Sequence, residues 1–130
     1  MLIVDDSAAV RGAIRQFIEA TTRLKVCDEA GDGLTAIEKA KEFGCGLVLL
    51  DIAMPQTNGL ETAAALRTAL QDVKIVGFSG FGGELKEESV NLKIFDAVLS
   101  KFDGLTKLVE TLKALAVQAQ ERSDYRTSSS

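Results

Sequence analysis

Leu47-Val48-Leu49-Leu50 is an unbroken apolar run that stops on Asp51. A run this short and continuous reads as a strand covered on both faces, as in parallel sheets whose crossover helices lie on each side. The rest of the chain supplies such a sheet. Residues 2–4 are apolar and end on Asp5-Asp6; residues 25–30 read as a second strand closed by the turn Gly31-Asp32-Gly33. Residues 74–78 form a fourth strand ending at Ser79, and residues 97–99 a fifth, followed by Ser100 and Lys101. Amphipathic stretches fill the gaps. Ser7 offers an N-cap to a helix carrying Val10, Ile14, Phe17 and Ile18, and Leu34, Ile37 and Phe43 mark a second helix that ends at 44–46. Beyond the Met54-Pro55 loop, Gly59 precedes an alanine- and leucine-rich helix running to about residue 70.

Residues 80–95 carry the weakest signal, because Gly82 and Gly83 break the start and Leu85 and Leu92 are the well-spaced apolar anchors. Leu105, Leu108, Val109, Leu112, Leu115 and Ala116 trace a clear final stripe, mostly core, with room for a homodimer contact. Strands alternating with helices predict an α/β domain with a parallel sheet and helices on both faces. One domain over 1–120 is expected, with a polar tail or linker start over 121–130.

Composition removes several function classes. A net charge of −4 gives no electrostatic footprint for nucleic acid, so no direct contact with it is expected. With no histidine in the chain, histidine triads and most zinc sites are excluded. Cys27 and Cys45 are far apart in sequence, without metal or redox-motif spacing, and read as two buried or half-buried thiols in a reducing compartment. Asp5 and Asp6 interrupt the first apolar stretch too early for a signal peptide, and no run approaches the roughly 20 residues of a membrane span. A cytoplasmic protein without membrane contact is expected.

In open parallel sheets ligands gather at the carboxyl ends of the strands. Asp5-Asp6, Asp51, Ser79 and Lys101 each follow an apolar strand and so converge on that edge. Three crowded carboxylates repel, and a cation relieves the repulsion. Mg²⁺ fits, since it takes oxygen ligands and binds through one or two carboxylates; Mn²⁺ could substitute. A carboxylate can also act as nucleophile toward phosphorus, with a hydroxyl and a lysine to steady the transferred group.

With those residues in place the chain resembles the receiver domain of bacterial two-component response regulators. The resemblance rests on Leu2-Ile3-Val4-Asp5-Asp6-Ser7, Leu49-Leu50-Asp51-Ile52-Ala53-Met54-Pro55 with Asn58-Gly59, Phe78-Ser79, and Leu99-Ser100-Lys101. It implies a three-layer flavodoxin-like (βα)5 fold with strand order 2-1-3-4-5. It also implies Asp51 as phosphoacceptor, Asp6 and Asp51 as direct Mg²⁺ ligands, Asp5 acting mainly through a bound water, and the Ala53 carbonyl as a further ligand. Ser79 and Lys101 would each meet a phosphoryl oxygen. The implied partner is a histidine kinase or phosphotransfer protein, and the implied output a conformational switch at the segment before the fifth strand and that strand itself. Such a domain catalyses its own phosphorylation and dephosphorylation without being a conventional enzyme. Glu29-Ala30-Gly31-Asp32-Gly33 and Lys101-Phe102-Asp103-Gly104 resemble the subgroup often fused to a C-terminal helix-turn-helix.

The sequence departs from that pattern in three places. Phe102 replaces the proline that usually follows the lysine. Val98 stands three residues before Lys101, where the family carries a tyrosine or phenylalanine that turns inward on switching; valine has no ring to turn. Phe81 or Phe95 would have to substitute. Ile94 takes the place of a helix-ending glycine. These departures suit an alternative, an atypical receiver that scaffolds partners without phosphoryl turnover. A small aspartyl-phosphate phosphatase fits less well, since that class needs Asp-x-Asp after the first strand. Asp28, Glu29 and Asp32 read as a solvated loop.

Overall fold

The computed structural model describes residues 1–54, 58–79, 94–100 and 104–129, with the backbone alone at Ser79 and from 118 onward. Its strands are β1 (Leu2–Val4), β2 (Asp28–Ala30), β3 (Leu47–Asp51), β4 (Lys74–Ser79) and β5 (Ala97–Ser100). All pair in parallel in the order β2-β1-β3-β4-β5. Four helices are described: α1 (Ala8–Thr21), α2 (Gly33–Phe43), α3 (Gly59–Ala69) and α4 (Leu105–Ser129). The expected helical segment at 80–95 lies outside the described residues up to 93.

Alternation along β3 divides the core. Leu47 and Leu49 face α1 and α4, where they meet Ile14, Ile18, Leu108 and Leu112; Val48 and Leu50 face α2 and α3, where they meet Ala36, Ala40, Ala63 and Leu66. This is the doubly covered strand that its uninterrupted apolar run predicts. β2 is shorter than the expected 25–30. β1 offers three residues for pairing, and the ladder with β2 starts at Leu2 opposite Asp28. Cys27 still donates its N–H to the Met1 carbonyl at 2.7 Å, so the chain approaches β1 before the ladder begins.

The α2 stripe requires a correction. Leu34 is 70% exposed and Phe43 49%, while Gly33, Ala36 and Ala40 form the buried face. The helix packs closely through small residues with Ile37 half-buried against the same core, and Leu34 and Phe43 fall outside the contact. On α4, Leu108, Val109, Leu112 and Leu115 are buried as expected, and Leu105 is exposed. The α4 backbone continues through Glu121 to Ser129, the polar stretch expected to begin a tail; Gln118, Ala119, Gln120, Glu121 and Arg122 are good helix formers.

The entries of α1, α2 and α3 are each fixed by a side chain. Ser7 Oγ accepts from the Val10 N–H, and Asn58 Oδ1 accepts from the Leu60 and Glu61 N–H groups. Asp32 caps α2 by accepting from Thr35, and Gly44 ends that helix with φ of 60°. Two glycines seat the residue after Asp51. A Cβ on Gly77 would lie 2.6 Å from Ile52 Cδ1, and one on Gly59 2.9 Å from the Ile52 Cα. Ile52 therefore packs directly against β4 and the start of α3, with Phe95 closing over it.

Candidate functional site

The carboxyl ends of β1 and β3 bring three acidic side chains together. One carboxylate oxygen each from Asp5, Asp6 and Asp51 lies within 4.8 Å of the others. Asp5 and Asp51 are 2% and 4% exposed, so most of this charge is withdrawn from water; Asp6 is exposed. At such separations two unit charges repel by roughly 1 kcal/mol in water and about 4 kcal/mol at the effective dielectric of a protein surface. The chain holds them there regardless. Asp5 donates its N–H to the Ala30 carbonyl at 3.0 Å, and its Oδ1 accepts from the Ser7 N–H at 2.9 Å. Asp51 stays in the ladder opposite Phe78, and its Oδ1 accepts from the Ala53 N–H at 2.9 Å. Hard oxygen donors, mostly buried and like-charged, fit Mg²⁺ better than any soft metal.

Ser79 ends β4 as the register partner of Ser100 at the end of β5, which puts both backbones at this same edge. The Ser79 side chain, Lys101 and Phe102 lie outside the described residues, as do Pro55 and Phe81. Val98 is buried beside Phe95 and Ile52 in the α2 and α3 half of the core. Ile94 has its carbonyl taken by the Arg67 guanidinium at 2.5 Å, so a side chain satisfies the carbonyl at the glycine-replacing position.

Asp28 and Glu29 are half-buried and paired rather than simply solvated, whereas Asp32 is exposed as expected. Asp28 pairs with Lys39 at 3.2 Å, and the Glu29 N–H that it accepts, followed by Lys39, holds its carboxyl below the usual range. Asp32 is held low by the backbone N–H and then the hydroxyl of Thr35. Glu29 joins Arg11 and Arg15, both at 3.0 Å, and its hydrogen bond raises the Arg15 guanidinium. Arg11 also donates to the Asp5 carbonyl at 2.6 Å. Sequence reasoning missed Arg11 of α1, whose partner Glu29 lies on β2, distant in sequence. It also missed that the Cys27 and Cys45 thiols meet: burial first, and the hydrogen bond to Cys27 second, push the Cys45 thiol up to about 12. Cys27 is exposed and Cys45 buried.

Among the described residues no helix is long and apolar enough to cross a membrane.

Comparison with known proteins agrees with this architecture. The sequence model of the response regulator receiver domain matches residues 1–113. A protein-glutamate methylesterase/protein-glutamine glutaminase of Treponema denticola is 29% identical over 134 residues, covering 98% of this chain and 36% of that protein. The chain thus spans about a third of the length of such curated relatives. Among solved structures, a two-component response regulator of the LuxR family from Aurantimonas superposes with a TM-score of 0.81 at 25% identity, covering 97% of this chain and 96% of that one. A DNA-binding response regulator of the LuxR family from Staphylococcus aureus gives 0.78 at 28% identity, covering 88% and 96%.

Proposed function

The chain belongs to the response regulator receiver domain family, and from that premise we propose that Asp51 accepts a phosphoryl group in a Mg²⁺-dependent two-component switch. The observation that carries this reading is the convergence of Asp5, Asp6 and Asp51 within 4.8 Å at the strand ends, with Asp51 itself buried. Asp6 and Asp51, with the Ala53 carbonyl, would hold the ion, and Asp5 would act through a bound water. Mg²⁺ would offset charge on the three carboxylates and on the incoming phosphoryl group. An Asp51 oxygen forms the new O–P bond as the P–N bond to a donor phosphohistidine breaks. That histidine belongs to a kinase or phosphotransfer protein, because this chain has none. Ser79 would donate to one phosphoryl oxygen and Lys101 would pair with another. The added charge would then bias a two-state surface around β5 and the segment before it.

The test is intact-mass measurement after incubation with Mg²⁺ and an acyl phosphate donor. Phosphoryl mass on the wild type and none on Asp51→Asn is expected; an unlabelled wild type, or a mutant labelled equally, would sink the assignment. Asp6→Asn should weaken Mg²⁺ binding in a calorimetric titration, and unchanged affinity would remove Asp6 from the ligand set.

A second reading, a scaffold that binds partners without turnover, draws on Val98. Its burial beside Ile52 and Phe95 is ordinary packing and supplies no aromatic ring to report the phosphorylated state. Phosphoryl mass on Asp51 would end that reading.

A further inference from the structure

The peptide between Asp5 and Asp6 is held from outside the acidic cluster. Its carbonyl accepts from Arg11 Nη1 at 2.6 Å, while Arg11 Nε donates to Glu29 Oε1 at 3.0 Å. Glu29 is fixed in turn: its other oxygen accepts from Arg15 at 3.0 Å, and its main-chain carbonyl accepts from Lys39 at 2.6 Å. The Arg11 and Glu29 side chains are 18% and 23% exposed, so the pair is sheltered rather than waving in solvent. The planar guanidinium, with donors set in a rigid fork, spans the β1 end and β2 together.

We propose that Arg11 is a positioning residue for Mg²⁺: by clamping the Asp5-Asp6 peptide to Glu29, it fixes how the exposed Asp6 carboxylate is presented to the ion. The proposal rests on the reading of the acidic edge as a Mg²⁺ site. Two physical effects of Arg11 oppose each other there, and their balance makes the idea testable. A cation close to a metal site repels the metal, so charge alone predicts that losing Arg11 tightens binding. Orientation predicts the reverse, because partners that aim metal ligands commonly govern affinity by tenfold or more. Glu29 already neutralises much of the Arg11 charge, so orientation wins.

Mg²⁺ titration of the full chain by calorimetry, with no phosphodonor, reads the outcome. Arg11→Gln should raise the Mg²⁺ Kd about tenfold. In an Asp6→Asn background the same substitution should change Kd by less than about twofold, because the residue acts through Asp6. Equal or tighter binding by Arg11→Gln overturns the proposal. So does an equal loss in both backgrounds, which would mean a general loosening of the fold. Should Arg11→Gln fail to fold by circular dichroism, Arg11→Lys keeps the charge and loses the fork; weakened binding supports the proposal and wild-type affinity overturns it. A wild type that binds no Mg²⁺ overturns the underlying site reading, which is a different failure.

Discussion

Asp96, just before the amino end of β5, and Asp51, at the carboxyl end of β3, are the same residue type treated in opposite ways at the two ends of one sheet. Asp96 Oδ2 accepts from Arg67 Nη2 and from the Ile75 N–H, both at 2.8 Å, and Lys74 stands 3.8 Å from Oδ1. Arg67 reaches on to the Val73 and Ile94 carbonyls, tying α3 to β4 and to the approach to β5. Asp51 is instead buried against two other carboxylates. Among the described residues, the amino end sets Asp96 against cationic side chains, and the carboxyl end sets three carboxylates side by side. Opposed charge that a fold tolerates points to a ligand, and complemented charge points to architecture.

The comparison breaks first at the amino end. Asp96→Ala strands Arg67 and the Ile75 N–H, and should cost about 2 kcal/mol in urea unfolding while leaving Mg²⁺ affinity unchanged. A loss too small to resolve would demote the clamp to a surface contact. At the other end, Mg²⁺ at ten times its Kd should stabilise the wild type by about 1.4 kcal/mol. Asp51→Asn should show no such gain, and an equal gain would detach the ion from this cluster. Without metal, Asp51→Asn should be more stable than wild type by about 1 kcal/mol, because it removes one of three mutually repelling charges. Destabilisation there would mean that the contacts Asp51 makes, the Ala53 N–H among them, outweigh the repulsion.

The two ends also differ in how much of them could be read from the sequence. The carboxyl edge was legible because each polar residue interrupts an apolar strand: the stop at Asp51 after Leu47-Val48-Leu49-Leu50 locates a strand end without knowing its neighbours. The amino end depends on which strands lie side by side. Arg67 and Asp96 belong to α3 and the approach to β5, and nothing local links them. Arg11 with Glu29 is hidden for the same reason. Helical periodicity worked where large side chains form the contact, as at Ile14, Ile18, Leu108 and Leu112. It failed on α2, because Ala36 and Ala40 carry little hydrophobic signal although they make the contact. Asp32 is exposed as expected, and its capping role is recognisable only once the helix start is placed.

Cys45, two residues before the amino end of β3, gives the smallest and sharpest test of how closed that end is. Its thiol is buried, accompanied by Cys27, and pushed up to about 12, with Asp28 adding to the rise. In the unfolded chain a thiol ionises near 8.5. Between those values the folded state keeps a proton that the unfolded state has released, so stability is fully present below the unfolded value and falls as pH rises toward the folded one. From pH 8 to 9.5 the wild type should lose about 1 kcal/mol more than Cys45→Ala, measured as the difference between their urea midpoints multiplied by the slope. Iodoacetamide at pH 8 should modify exposed Cys27 and spare Cys45 until the chain is unfolded. Parallel pH profiles, or equal alkylation of both thiols, would show that water reaches the amino end of β3 and that the contrast between the two ends is one of charge alone.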